Sequence, residues 1–179
     1  MRMFASIIAM SDGARIEGGV VPRSVSAELV DDLSFLLARA NALSLAAGNA
    51  ALSKHGLRVR SYSILALAAG SARPSQRELA ELLRLDPSQV VSLVDELQAR
   101  GLVVREPDPA DRRANVVVAT DLGRSVHAEA ATAARAAEAA LHHDLSDADR
   151  RRLTELLKRM AFPSPGRPKR PPVGDALEP

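Results

Sequence analysis

The chain has 179 residues, of which 46% are hydrophobic and 26% charged, and its formal net charge is +2. It contains no cysteine, which excludes disulfides, thiol redox chemistry and thiolate metal sites. Aromatic residues make up only 2%, so a core must consist of aliphatic side chains and alanine, which favours packed helices. The apolar stretch within residues 1–10 is too short for a signal peptide, and no run of about 18 apolar residues predicts a membrane span. We therefore expect a cytoplasmic protein.

The first part of the chain predicts a leader followed by two helices. Residues 1–25 predict a flexible leader. From Ser26, leucines recur at three- and four-residue steps, which predicts one amphipathic helix that ends near Leu52. The sequence at 55–57 interrupts it, and a second helix follows that ends at Gly70.

Two short helices with clear start signals follow. Ser75 and Glu78 have the spacing of a capping box. Asp86 is the predicted N-cap of the next helix, with Pro87 at its first position and Gln89 three residues after the cap. Two short capped helices separated by a few residues are typical of a helix-turn-helix.

A hairpin and two more helices complete the pattern. Residues 102–105 and 115–119 predict two strands, joined by a charged turn. Thr120 is the predicted N-cap of a long helix with an alanine-rich seam, which suits close helix packing. Ser146 predicts the start of a last helix, and from Phe162 the composition becomes Pro-rich and basic, which indicates a disordered tail.

Several motifs in this order resemble the MarR family of bacterial transcription regulators. The most specific is the sequence at 108–113, Asp-Pro-Ala-Asp-Arg-Arg, followed by the Thr-x-x-Gly pattern of Thr120 and Gly123. His-Gly-Leu at 55–57, followed by Tyr62, matches the second helix of the family. The resemblance covers residues 26–160.

The resemblance implies a mainly α fold with a small β-hairpin wing, that is, a winged helix-turn-helix plus a helical dimerisation arm. It implies a homodimer in which each subunit places a recognition helix in the major groove and a wing over the adjacent minor groove. The expected organisation is a leader (1–25), dimerisation helices (26–53 and 121–161), a DNA-binding domain (54–120) and a Pro-rich tail (162–179).

The candidate DNA contacts lie on both short helices and the wing. Residues near the start of a recognition helix usually reach base edges, and Gln89 has the groups for a bidentate bond to adenine. Arginine favours a narrow minor groove, and we expect Asp111 to orient Arg113 there. The predicted DNA-binding residues are Ser75, Gln76, Arg77, Pro87, Ser88, Gln89, Ser92, Arg105, Asp111, Arg112 and Arg113.

Simpler interpretations of these residues remain open. Ser88 and Gln89 could serve only as helix caps, and the wing arginines only as solvated charges. Three positions also depart from the family pattern. Ser92 and Glu96 stand where family members often carry basic residues, and Arg84 stands where a helix-turn-helix often has glycine, which predicts a looser turn.

An effector site is also implied by the resemblance, because many family members are released from DNA by small aromatic anions. His55, Arg58, Arg60 and Tyr62 lie near the junction of the arm and the DNA-binding domain. The simpler interpretation is that Tyr62 belongs to the core and the arginines are solvated. The sequence contains no motif that indicates a catalytic site, a metal site or a cofactor.

These patterns predict a ligand-responsive repressor that binds a palindromic double-stranded DNA operator as a homodimer. The alternative is a winged-helix module that binds proteins and no longer binds DNA. Ser92 and Glu96 favour the alternative, whereas Arg112 and Arg113 argue against it.

Overall fold

A computed structural model describes residues 14–16, 19–22, 25–108, 111 and 114–163. The chain divides into two compact units after Leu141. The first unit contains β1 (Ala14–Ile16), β2 (Gly19–Val21), α1 (Ala27–Val30), α2 (Leu33–Leu52), a 3-10 turn (Ser53–His55), α3 (Val59–Ala69), α4 (Gln76–Leu83), α5 (Pro87–Ala99), β3 (Val103–Pro107), β4 (Asn115–Ala119) and α6 (Asp121–Leu141), and the second contains α7 (Asp147–Ala161). The predicted fold class, mainly helical with a two-stranded hairpin, is confirmed.

The region before α2 differs from the sequence prediction in two ways. Within the expected leader, β1 and β2 pair antiparallel, with Ala14 opposite Val21. The expected single helix is interrupted after Val30, because Asp32 caps a new helix and its Oδ1 accepts a hydrogen bond from the Phe35 N–H at 2.6 Å. Aspartate side chains compete for backbone N–H groups, which favours a helix start over a helix interior. The remaining residues of the leader and residues 164–179 of the tail lie outside the described residues.

The predicted start signals of the later helices are confirmed. The Ser75 Oγ accepts from the Glu78 N–H at 3.2 Å, and the Glu78 carboxylate accepts from the Ser75 N–H at 2.7 Å, which completes a capping box. The Thr120 Oγ1 accepts from the Gly123 N–H at 3.0 Å. In the second unit, the Ser146 Oγ accepts from the Asp149 N–H at 3.1 Å.

The core of the first unit is aliphatic, as the composition predicts. Side chains from α2, α3, α4 and α5 pack against those of β3 and β4, so the base of the hairpin belongs to the core. The largest fully buried side chains are Leu52, Leu57, Ile64, Leu65, Leu79, Leu97, Val90, Val94, Val103 and Val117. Ala130 on α6 joins the same cluster.

The hairpin is joined to the segment that precedes α4. β3 and β4 pair antiparallel, from Val103 opposite Ala119 to Pro107 opposite Asn115. Ser75 bridges β4, and the Val117 N–H donates to the Pro74 carbonyl at 2.8 Å. The residues that start α4 therefore fix one edge of the hairpin.

The α2 helix packs along α6, where small side chains permit a close approach. The segment Leu33–His55, with a mean hydropathy of 1.2, is long and apolar enough to cross a membrane by length and composition. It also contains Arg39, Asn41 and Asn49, and a single helix of this length and composition is weak evidence for a membrane span. The expected absence of a membrane span therefore stays a prediction.

Arg84 closes the turn between α4 and α5 in spite of its side chain. Its backbone adopts φ 53° and ψ 42°, the left-handed conformation that favours glycine. The Leu85 N–H then donates to the Ala80 carbonyl at 3.1 Å, as expected at a tight helix end. The predicted loosening of this turn is therefore wrong, because arginine adopts the glycine conformation and the turn closes.

Gly123 lies where the first turn of α6 meets the start of the hairpin. A Cβ at this position would lie 1.9 Å from the Leu102 carbonyl oxygen. The Thr120 Oγ1 and N–H donate to the carbonyls of Gly101 and Leu102 at 2.6 and 3.0 Å, so this backbone is fixed from both sides. The Thr-x-x-Gly pattern thus combines a helix cap with a backbone contact that only glycine permits.

We predict that Gly123→Ala lowers the free energy of unfolding by at least about 2 kcal/mol, because α6 or the hairpin must shift to admit the methyl group. Ser125→Ala, at an exposed position of the same helix, is the matched control and should change it by less than about 0.5 kcal/mol. Urea unfolding followed by circular dichroism measures both variants. Equal free energies of unfolding for the two variants would show that the backbone at Leu102 can shift to admit a Cβ at position 123 without loss of stability.

Candidate DNA interface

The outward face of α5 is polar, and its inward face belongs to the core. Val90, Val94 and Leu97 are fully buried, whereas Ser88 and Ser92 are exposed. This separation follows the 3.6-residue period of the helix. A 13-residue helix is about 20 Å long, and a helix of this diameter fits the DNA major groove.

The first turn of α5 is held by Asp86. The Asp86 Oδ1 accepts from the Ser88 hydroxyl at 2.5 Å and from the Ser88 N–H at 2.8 Å. These two hydrogen bonds, the hydroxyl bond first, hold the pKa of Asp86 below its usual value. Ser88 therefore has the capping contact of the simpler interpretation, Pro87 occupies the first helical position, and a DNA contact by either residue stays a prediction.

Gln89 does not complete a capping box. Its Oε1 instead accepts from the Arg60 Nη1 at 3.2 Å, across 29 positions in the sequence. Ser92 donates its hydroxyl to the Ser88 carbonyl at 3.1 Å, within the helix. The simpler interpretation of Gln89, that it serves only as a helix cap, is therefore wrong, because its amide oxygen accepts from the guanidinium of Arg60 on α3.

Arg105 on β3 binds side chains of α4 and α5 at the same time. Its Nε and Nη2 donate to the Gln76 Oε1 at 2.9 and 2.7 Å. Its Nη1 donates to the Gln98 Oε1 at 2.8 Å, and its Nη2 to the Asp95 Oδ1 at 2.5 Å. Asp95 and Gln98 are not among the residues predicted from the sequence, because their contact with Arg105 exists only once the hairpin has packed against α5. We call Arg105, Gln76, Asp95 and Gln98 the Arg105 cluster.

The Arg105 cluster changes the interpretation of two predicted DNA contacts. The Arg105 side chain is only 24% exposed, and Gln76 is partly buried. Both are engaged within the protein, so their first role is to fix the hairpin against both helices. A phosphate contact by either residue stays a prediction.

The start of α4 offers one exposed cation. Arg77 is 88% exposed and pairs with Glu81 at 3.0 Å. Such a surface pair contributes little, so a phosphate can replace it at low cost. Ser75, in contrast, is engaged as the cap, and its N–H and hydroxyl bonds hold the pKa of Glu78 below its usual value.

The far end of the hairpin is closed by backbone hydrogen bonds. The Asp108 N–H donates to the Ala114 carbonyl and the Ala114 N–H to the Asp111 carbonyl, both at 2.9 Å. Asp111 is exposed. Arg112 and Arg113, the predicted minor-groove residues, lie outside the described residues. Near the same end, an ion pair between Arg73 and Glu106 joins β3 to the loop before α4.

A cavity of about 520 Å³ lies between α2, α3 and α5. Its apolar wall comes from α2, α3 and α5, and its polar wall from two arginines and from the first turn of α5. The lining residues are Leu45, Asn49, Arg58, Val59, Arg60, Ser88, Gln89, Ser92 and Leu93. A second cavity of about 600 Å³ shares Asn49, Arg58 and Leu93 with it and reaches Glu96.

Only two of the four predicted ligand residues line these cavities. Arg58 and Arg60 do, whereas Tyr62 stacks on His127 with ring centroids 5.5 Å apart and packs against the core. Tyr62 follows Arg60 by two residues, about 200° around the helix, so the two side chains leave α3 in different directions. The His55 Nδ1 lies 3.9 Å from the Glu129 carboxylate on α6, and His55 is not among the residues that line either cavity. Among the described residues, no cluster of acidic or histidine side chains suits a metal ion.

We predict that Arg105→Lys lowers the free energy of unfolding by about 1–2 kcal/mol, because an ammonium cannot reach three acceptors in the geometry of a guanidinium. Arg77→Lys, in an exposed pair, is the matched control and should change it by less than about 0.5 kcal/mol. Thermal and urea unfolding measure both. An Arg105→Lys variant as stable as the starting protein would show that the Arg105 cluster does not stabilise the hairpin.

Comparison with known proteins identifies the family. Residues 55–114 match the family described as MarR family. The structure of a transcriptional regulator (MarR family) from Rhodococcus sp. RHA1 is 43% identical, with a TM-score of 0.72, and the match covers 78% of this chain and 100% of that one. CouR from Rhodococcus jostii RHA1, bound to p-coumaroyl-CoA, is 40% identical, with a TM-score of 0.71 and coverages of 79% and 100%.

A structure of a transcriptional repressor, CouR, bound to a 23-mer DNA duplex is 29% identical, with a TM-score of 0.69 and coverages of 75% and 96%. A putative transcriptional regulatory protein for the hcr operon of Thauera aromatica is 34% identical over 99 residues, 55% of this chain and 60% of that protein. The chain thus spans less than two thirds of that curated relative. The first two structures are matched over their full length at 43% and 40% identity, and they have the same fold. The chain therefore belongs to the MarR family of winged helix-turn-helix transcriptional regulators, which bind DNA and are not enzymes.

Proposed function

We propose that this protein is a cytoplasmic, ligand-responsive repressor that binds a palindromic operator as a homodimer. One observation carries the proposal: the Arg105 cluster fixes the hairpin beside the polar face of α5. A recognition helix and a wing can contact adjacent grooves only if their separation is fixed in this way.

The charge on the outward face of α5 is compatible with DNA because of Arg105. Asp95 is 60% exposed and would repel phosphate, but it pairs with the Arg105 guanidinium at 2.5 Å. Arg77 is exposed at the start of α4, and the sequence predicts that Arg112 and Arg113 belong to the turn of the wing. We infer that these cations contact phosphates and the minor groove, while the first turn of α5 reads bases.

Exposed apolar faces on both units support a homodimer. In the first unit, Leu33 on α2 is 63% exposed and Leu43 is 48% exposed. In the second unit, Leu153, Leu157 and Met160 on α7 are 40–53% exposed and recur at the three- and four-residue steps of one helix face. Apolar faces of this kind mark association sites, and a second copy of the chain would offer the same faces. Two-fold symmetry then predicts half-sites about one helical turn apart.

The cavity beside α5 supports a ligand of mixed character. Arg58 and Arg60 suit an anion, and Leu45, Val59 and Leu93 suit an apolar or aromatic group. The related CouR structure contains p-coumaroyl-CoA, so we infer that an aromatic acyl thioester or aromatic acid occupies this cavity. The cavity shares its wall with the first turn of α5, so the ligand can favour a state that does not bind DNA.

The second candidate function is protein binding without DNA. It is favoured by the exposed Glu96 and by the lack of arginine at Ser92 on the outward face of α5. An acidic helix face would weaken binding to a polyanion. The salt dependence of binding separates the two functions, because phosphate contacts release counterions.

We predict that the purified protein protects a near-palindromic site beside its own gene and that its affinity falls steeply as salt rises. Arg113→Ala should weaken operator binding by about ten-fold, the order of one lost arginine contact, and leave the dimer intact. Arg135→Ala removes the same charge from an exposed position of α6 and should leave affinity unchanged. Gel-shift titration at two salt concentrations measures the affinities. Salt-independent binding, or no enrichment of any duplex, would favour the protein-binding function.

We predict that p-coumaroyl-CoA releases the protein from its operator and that Arg58→Met weakens ligand binding by about ten-fold, because a charge-assisted bond is lost. Tyr62→Phe, which removes the hydroxyl of a residue outside the cavity lining, should leave ligand affinity unchanged. Isothermal titration with p-coumaroyl-CoA and free p-coumarate measures both. A loss of ligand affinity in the Tyr62→Phe variant alone would show that the ligand binds outside this cavity.

A further inference from the structure

The contact between Arg60 and Gln89 fixes which way the Gln89 amide faces. The Arg60 Nη1 donates to the Gln89 Oε1 at 3.2 Å. A guanidinium has donors only, so the amide oxygen, and not the amide nitrogen, must face Arg60. Arg60 therefore occupies one lone pair of the amide oxygen and leaves both Nε2 hydrogens directed elsewhere.

Gln89 is the main source of donors in the first turn of α5. The Ser88 hydroxyl donates to Asp86 and the Ser92 hydroxyl to the Ser88 carbonyl. Within the part of the chain that the structure describes, the Nε2 of Gln89 has no hydrogen-bond partner. Gln89 is also exposed, so these two donors can reach a base edge.

Donors and acceptors select different bases in the major groove. A bidentate bond to adenine needs the amide oxygen to accept from N6 while the amide nitrogen donates to N7. Guanine presents only acceptors there, O6 and N7. A cation on the amide oxygen polarises the amide, which strengthens its N–H donors and weakens the oxygen as an acceptor. This balance favours guanine over adenine.

We propose that Arg60 is a specificity-determining residue that acts through Gln89 and makes it read guanine in preference to adenine. The inference rests on the proposed function, because it requires α5 to read duplex DNA. It replaces the bidentate adenine contact expected for Gln89 from the sequence. Arg60 is a positioning residue in this proposal, because Gln89 and not Arg60 touches the base.

Selection from a pool of randomised duplexes tests the proposal with the full-length protein. Gln89→Ala identifies the base pair that Gln89 reads, because preference disappears at that position alone. At this position the starting protein should favour guanine over adenine by about ten-fold, the order of one good base contact. Arg60→Met keeps the apolar stem, removes the donor and should shift the preference toward adenine by a similar factor. Arg60→Lys restores a charged donor and should restore the preference for guanine.

Arg135→Met on α6 is the matched control for loss of one charge, and it should select the same sequence as the starting protein. Selection of adenine by the starting protein at the position that depends on Gln89 would overturn the proposal. So would an unchanged guanine preference in Arg60→Met, or a Gln89→Ala variant with an unchanged consensus, and in these cases the DNA-binding function would stand. Enrichment of no duplex by the starting protein would instead overturn the proposed function, and the inference with it.

Discussion

The Arg105 cluster is the interaction on which the interface depends. A two-stranded hairpin alone is marginally stable, and here a backbone hydrogen bond at Pro74 holds one edge of it. The Arg105 guanidinium adds side-chain contacts to two helices, because it has five donors in a fixed plane and reaches acceptors on α4 and α5 together. The same contact pairs the negative charge of Asp95, which lies on the outward face of α5, with a cation. One residue therefore contributes both to the position of the hairpin and to the charge beside it.

The α5 helix serves the core, the cavity and the outward face at once. Val90, Val94 and Leu97 anchor it in the core, Leu93 lines both cavities, and Ser88 begins the face directed away from the body. Because packed interiors transmit strain, a change at the cavity wall would reach the outward face. In the proposed function, one short helix would therefore serve both sensing and reading.

The structure bears out what depends on local sequence and departs from what depends on distant contacts. The sequence predicts the caps at Ser75, Asp86 and Thr120, because a cap oxygen and the backbone N–H that donates to it lie within three residues of each other. It does not predict the partners of Arg105 and Gln89, because those contacts join positions up to 29 residues apart and require the packed fold. The helix break at Asp32 could have been found, since two consecutive aspartates are a local start signal.

The two roles that we propose for Arg60, ligand binding and positioning of Gln89, use the same guanidinium donors. Its present acceptor, the Gln89 amide oxygen, is neutral and lies at 3.2 Å in an exposed site. A carboxylate or phosphate in the cavity could bind the same guanidinium with two parallel bonds between opposite charges, whereas the Gln89 amide offers one bond from a neutral acceptor. An anion that binds there would therefore withdraw Arg60 from Gln89 and release the amide to rotate. In this arrangement the ligand would change which base the helix favours as well as how tightly it binds, since one guanidinium controls both.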